Sequence, residues 1–321
     1  MNAGRVFTEK YLKLMFKQLR DAKPEEVLEE LEHCRRENRR PVRVPRYFRG
    51  FFTEEKFNAS TGFEMQVFRH DEKTRSISLE VPEPVEGPKS RPKKFILYLH
   101  GGAYIYPPVF FHWRFLHDLC LRTHCDALLP VYPNSPEYTC DFSVQTLLDF
   151  YKSISESKQY EEIHFVGDSA GACLCLILAQ EAHKNGWQKP NTTTLLSPCV
   201  DLSHTKEAEM RALQEKDTML QLDRVIMLNA IWQGDLPAQH PWVSPVFGDF
   251  SGVNNLYVYY GSDEILQPDD LLLKETYEKA DKTGVFREYE GMFHTFAMFP
   301  IPEGFRAVKE MARTITGKQN H

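Results

Sequence analysis

Nothing in the 321 residues approaches a run of 18 apolar residues, so no segment is expected to cross a bilayer as a helix. The start, Met1 to Arg20, interrupts its apolar residues with Lys10, Lys13 and Lys17, unlike the core of a secretory leader. An excess of one charge is also missing. With 39 basic against 45 acidic side chains the net charge is -6, which provides no global field for nucleic acid or an anionic membrane. A charged partner would need a local patch. No paired Cys-x-x-Cys occurs among the seven cysteines, and Cys173 and Cys175 would point about 200° apart on a helix, so no metal site is expected. Cysteines in surroundings such as Leu119-Cys120-Leu121 read as reduced, buried thiols. Repeats and low-complexity tracts are absent too. At 42% hydrophobic and 26% charged residues, the composition excludes collagen, coiled coil and wholesale disorder. The expectation is a globular, cytoplasmic protein without nucleic-acid or membrane contact, with homodimerisation left open.

What is present begins with helical spacing. Val6 to Asp21 and Pro24 to Glu37 carry apolar residues at helical intervals, and together residues 1–60 read as an N-terminal helical cap segment. Seven arginines between Arg35 and Arg49 read as a solvated connector balanced by Glu25, Glu26, Glu29, Glu30 and Glu32. From Gly62 the pattern turns to short β-type runs: Phe63 to Phe68, Ser76 to Val81, Phe95 to His100, Ala127 to Tyr132, Ile163 to Gly167, Thr192 to Leu196, Leu256 to Tyr260 and Phe286 to Tyr289. The first two, joined by Asp71-Glu72-Lys73-Thr74, suit an antiparallel edge, and Pro82 to Pro92 reads as a loop. The later runs alternate with helical stretches at Phe111 to Thr123, Val144 to Lys158, Ala170 to Asn185 and Asp270 to Lys282. That order predicts an α/β core over 61–321, a mostly parallel eight-stranded sheet with helices on both faces. Thr205 to Gly234 is too long and too helical for a connector, so residues 205–240 read as a cap insertion over the carboxyl edge of the sheet.

Two motifs carry chemistry. Gly167-Asp168-Ser169-Ala170-Gly171 stands between a strand and a helix, the setting of a nucleophile elbow, in which Ser169 sits at the positive end of the helix. His100-Gly101-Gly102-Ala103-Tyr104 follows the strand that ends at Leu99. Glycines there let main-chain N–H groups approach a tetrahedral oxyanion, and Gly101, Gly102 and Ala170 are the expected donors. Tyr104, Tyr106, Phe110, Phe111 and Trp113 follow the loop, and Tyr104 and Tyr106 are the expected pocket residues.

On these motifs the chain resembles the hormone-sensitive-lipase-like group of α/β hydrolases, bacterial esterases above all, from about Ile96 to Pro300. Further stations recur in order: Tyr132-Pro133-Asn134-Ser135-Pro136-Glu137, Leu196-Ser197-Pro198-Cys199-Val200-Asp201-Leu202, Gly261-Ser262-Asp263-Glu264-Ile265-Leu266 and Glu290-Gly291-Met292-Phe293-His294-Thr295-Phe296. Ala103 stands where many members have a third glycine, and Glu264-Ile265-Leu266 where many have Asp-Pro-Leu. The resemblance implies an α/β-hydrolase fold with a helical cap and a cofactor-free triad of Ser169, an acid and His294. Register on Leu266 chooses Glu264 as the acid; counting from Gly261 chooses Asp263.

The implied activity is hydrolysis of carboxylic esters, with short acyl chains favoured because no extended apolar groove is evident. Two alternatives stand beside it: a non-catalytic small-molecule receptor on the same fold, and a membrane-surface lipase or sterol-ester deacetylase using the arginine-rich segment. Retention of a histidine at 294 argues against the receptor.

Overall fold

The structure, a computed structural model, describes residues 24–71 and 93–317. Strand polarity and burial explain the layout. Glu162–Asp168 (β5 in chain order) reads Glu-Ile-His-Phe-Val-Gly-Asp and is buried along almost its whole length, as the centre of a sheet covered on both faces requires. Thr53–Asn58 (β1) reads Thr-Glu-Glu-Lys-Phe-Asn and is exposed, as an edge allows. The others are Glu64–His70 (β2), Lys94–Leu99 (β3), Asp126–Pro130 (β4), Thr192–Leu196 (β6), Leu256–Gly261 (β7) and Val285–Tyr289 (β8). They form one eight-stranded sheet in the order β1-β2-β4-β3-β5-β6-β7-β8, in which only the β1–β2 and β2–β4 pairs are antiparallel.

Successive side chains alternate between two cores. In β3, Phe95, Leu97 and Leu99 face one cluster and Ile96 and Tyr98 the other. The first cluster is closed by helices Cys140–Ser157 (α3), Ala170–Lys184 (α4) and Gln267–Lys279 (α7), the second by Phe110–Thr123 (α2) and Pro302–Thr316 (α8). Helix α8 presents Ala307, Val308, Met311, Ala312 and Ile315, an apolar stripe at helical spacing that the strand-centred reading of the sequence passed over. Glu207–Leu213 (α5) and Leu222–Gln233 (α6) lie within the expected insertion, separated by a turn over Asp217–Leu220. Helix Pro24–Asn38 (α1) meets α6 in a small third cluster of Leu31, Cys34, Ile105 and Leu228.

Differences from the sequence reading have physical causes. The strand Thr53–Asn58 was not expected, because three of its six residues are charged and an exposed edge strand has no apolar alternation to detect. It supplies the antiparallel edge by pairing with β2. Val6 to Asp21, Ser76 to Val81, the turn residues 72–74 and the Pro82 to Pro92 loop lie outside the described residues. Among the described residues all seven cysteines are free and buried, and no helix is long and apolar enough to cross a membrane.

Candidate active site

Every candidate side chain hangs from the carboxyl end of a strand, where an open parallel sheet gathers its loops. Between β5 and α4, Ser169 holds φ 51° and ψ -121°, a conformation rare for a residue with a Cβ, and its amide donates to Leu196 O at 2.8 Å. The turn closes only because Gly171 lacks a side chain: a Cβ there would lie 2.0 Å from Leu99 O and 2.5 Å from His100 O. Ser169 is thereby raised at the helix N-terminus, half-buried, against a cavity of about 350 Å³.

His294, in the loop after β8, reaches Ser169 Oγ with Nε2 at 2.9 Å, and its Nδ1 lies 2.7 Å from Glu264 Oε2. Glu264 follows β7 and is fully buried; its Oε1 accepts from Ser197 Oγ at 2.9 Å and from the Gly261 amide at 2.8 Å. Ser197 Oγ in turn accepts from the Thr295 amide at 2.9 Å, tying the loop after β6 to the histidine loop. Burial is the largest influence on His294 and pushes its pKa down. The bond and charge of Glu264, with the charges of Asp217 and Asp168, outweigh burial and raise it above the ordinary 6.5. Asp263 is directed elsewhere: it is partly exposed, Ser262 Oγ lies 3.1 Å from its Oδ1, and its amide donates to Met292 O.

The loop after β3 departs from expectation at one residue. The Gly101 amide donates to Asp168 Oδ1 at 3.0 Å and Gly101 does not line the cavity, so this N–H is not available to an oxyanion. Gly102, Ala103 and Ala170 do line it, and their amides have no hydrogen-bond partner among the described residues. Gly102 holds φ 119°, and a Cβ there would meet Tyr106 O at 2.7 Å. Asp168, absent from the sequence-level site, is the anchor of this loop. It also accepts from Tyr98 Oη at 2.6 Å and faces His112 Nε2 at 3.5 Å. His112 Nδ1 accepts from the Val109 amide, so in the neutral ring the proton sits on Nε2, toward Asp168. Burial pushes the Asp168 pKa up, but His112, Tyr98 and the Gly101 amide together hold it below the ordinary value. His100 stacks on Tyr132 with ring centroids 4.4 Å apart, and burial drives its pKa down to about 3.

Tyr104 and Tyr106 both line the cavity. Tyr104 stacks on Trp232 at 3.7 Å, whereas Tyr106 Oη donates to Glu30 Oε1 at 2.5 Å and accepts from Arg224 Nη2 at 2.8 Å. Phe111 is also in the wall, while Trp113 packs in the core against Phe52 and Phe68. Met219, Leu220, Val225 and Leu228 bring the expected insertion into the wall. Asp217 was not foreseen. Fully buried, it accepts from the amides of Met219, Leu220 and Ile265, each at 2.8 Å, and so joins that insertion to the residue after Glu264. A lone Asp in a helical stretch carries no signal of such a role. Asp168, inside the Gly-x-Ser-x-Gly, offered its position only. No group of three or more side chains suited to a metal ion occurs among the described residues.

A family model described as the alpha/beta hydrolase fold matches residues 96–298. An esterase of Acinetobacter venetianus is 30% identical over 227 residues, 70% of this chain and 75% of the relative. An acetyl-hydrolase of Streptomyces hygroscopicus is 29% identical over 243 residues, 72% of this chain and 79% of the relative. A crystal structure of an esterase from the bacterial hormone-sensitive lipase family, 22% identical, superposes with a TM-score of 0.70, covering 92% of this chain and 99% of that one.

Proposed function

Since the chain belongs to the α/β-hydrolase fold family and hydrolyses ester bonds, we propose that it does so through Ser169, His294 and Glu264. The carrying observation is the unbroken line Ser169 Oγ, His294 Nε2, His294 Nδ1, Glu264 Oε2, with steps of 2.9 and 2.7 Å across the ring.

Ser169 Oγ attacks the ester carbonyl as its proton passes to His294 Nε2. The new imidazolium is stabilised by Glu264, which already holds Nδ1–H and so fixes the tautomer. Negative charge on the carbonyl oxygen is met by the amides of Gly102, Ala103 and Ala170, while Asp168 keeps the loop in place through Gly101. When the tetrahedral intermediate collapses, the ester C–O bond breaks and His294 returns the proton to the departing alkoxide. Water then repeats the sequence on the acyl-serine, releasing the acid.

We read α1 with residues 205–240 as a cap over the carboxyl edge, supported by the Leu31, Cys34, Ile105 and Leu228 cluster. At about 30 Å³ per water-sized group, the cavity of about 350 Å³ holds roughly a dozen such groups for acyl and alcohol parts together. That supports acyl chains from acetyl to butyryl, and the acetyl-hydrolase among the relatives points the same way. A series of chromogenic esters of increasing acyl length tests both halves of the proposal. Turnover should peak by butyrate and vanish in Ser169→Ala; a peak at a long chain would refute the acyl limit, and undiminished Ser169→Ala turnover would refute the nucleophile.

A further inference from the structure

The arginine-rich stretch plays no part in the site above, and its two halves differ. In the first half Arg35 pairs with Glu32, Arg39 with Glu137 and Arg40 with Glu37, while Arg36 is exposed on α1 with no ion pair among the described residues. Arg43, Arg46 and Arg49 are exposed and form no ion pair among the described residues. In their midst the short 3-10 turn Arg46–Phe48 carries Tyr47 at 80% exposure. Beside it Val109 and Phe110, at the start of α2, are 51% and 42% exposed. Scattered exposed apolar residues are ordinary, but these are joined. Tyr47 sits edge-on to Phe110 with centroids 6.4 Å apart. The contacts continue inward from Phe110 to Phe111 at 5.7 Å and from Phe111 to Phe299 at 4.5 Å. Val109, Phe111 and Phe299 all line the cavity that holds Ser169.

An aromatic path thus runs from the surface to the cavity, and it starts at Tyr47, which in sequence lies among three exposed arginines that form no ion pair among the described residues, on a chain whose net charge is -6. A nucleic-acid duplex would use the cations and leave the rings idle, and a single strand would need rings laid open for bases to stack on, whereas Tyr47 and Phe110 meet edge to face; the head-group region of a membrane uses both, rings at the acyl boundary and guanidinium groups on anionic lipid. We propose that this patch docks the protein on an anionic phospholipid surface, with the mouth of the cavity turned toward the lipid. The net charge of -6 gives no global field for such a surface, so the docking rests on this local patch alone. Docking does not depend on the catalytic assignment, and its test uses binding.

The full chain is sedimented with vesicles of phosphatidylcholine alone and of phosphatidylcholine with phosphatidylglycerol, at low and high salt. Binding is expected to the anionic vesicles at low salt, to weaken at high salt, and to be slight on the neutral ones. Replacing Arg43, Arg46 and Arg49 together by Gln should weaken it on the order of a hundredfold, about fivefold per charge. Tyr47→Ser with Phe110→Ser should also weaken it, whereas Leu271→Ser, an exposed apolar residue on α7, should not. A thermal melt of each variant that matches the unaltered chain checks that it folds. As a measurement on a minimally altered surface, Tyr47→Trp should shift its emission to shorter wavelength on anionic vesicles. Indifference of the unaltered chain to those vesicles, or no shift from Tyr47→Trp, would overturn the proposal. So would binding that heparin abolishes while the Tyr47 and Phe110 changes leave it intact, since that is simple polyanion binding.

Discussion

Exchanging Glu264 for Gln changes one oxygen for one NH2 and tests the assignment of the acid most directly. Two donors fix which end goes where. Ser197 Oγ–H and the Gly261 N–H both point at Oε1, so the amide oxygen of a glutamine must stay there. The NH2 then takes the place of Oε2, 2.7 Å from His294 Nδ1. Because NH2 only donates, Nδ1 must give up its proton, and the ring's one proton moves to Nε2. That places an N–H opposite Ser169 Oγ where a lone pair is needed. The wrong tautomer costs about 10⁴ in turnover, which at about 1.36 kcal/mol per tenfold is close to 5.5 kcal/mol of barrier. The shape is conserved, so the protein should still fold. Initial rates on a chromogenic acetate or butyrate, with a thermal melt alongside, measure both. Asp263→Asn should stay within about tenfold of the unaltered chain, because that carboxylate faces Ser262 and solvent. If instead Glu264→Gln keeps most of its activity and Asp263→Asn loses it, the reasoning fails and Asp263 is the acid.

Other expectations follow from the same geometry. His294 works as a base only when neutral, and its pKa is raised, so activity should fall as pH drops through a midpoint above 6.5; a midpoint well below 6.5 in a pH–rate profile contradicts this. Ser169→Ala and His294→Ala should each lower kcat by about three to six orders of magnitude, with the double variant little worse than either, and additive losses would show separate mechanisms. Gly171→Ala forces a methyl to within 2.0 Å of Leu99 O and should cost about 3 kcal/mol or more in chemical denaturation, where an unchanged midpoint would disprove the tight elbow.

The central strands were legible in the sequence because burial on both faces leaves continuous apolar runs. Ser169 was legible because an elbow needs small residues at fixed places around it. Strand β1 was not, since an edge exposed to water is free to be charged. Gly101 shows a subtler limit. Its spacing suits an oxyanion donor, yet the structure spends its amide on Asp168, and which of several adjacent N–H groups is occupied depends on a residue 67 positions away. Glu264 and Asp263 could not be separated by register because they are neighbours. The hydrogen bonds that Glu264 accepts from Ser197, after β6, and from Gly261, at the end of β7, set the two apart.

The carboxylate of Asp217 acts as a rivet between roof and machinery. Met219 and Leu220 belong to the wall above the cavity, and Ile265 follows Glu264, yet all three amides end on one buried side chain. Lifting that part of the roof would strip a buried charge of two of its three amide donors. Raising Met219 and Leu220 to admit an ester would therefore break both of those bonds. The amides of Met219, Leu220 and Ile265 should accordingly exchange with deuterium as a single slow group, and anything that frees the roof there would loosen the acid's loop in the same motion.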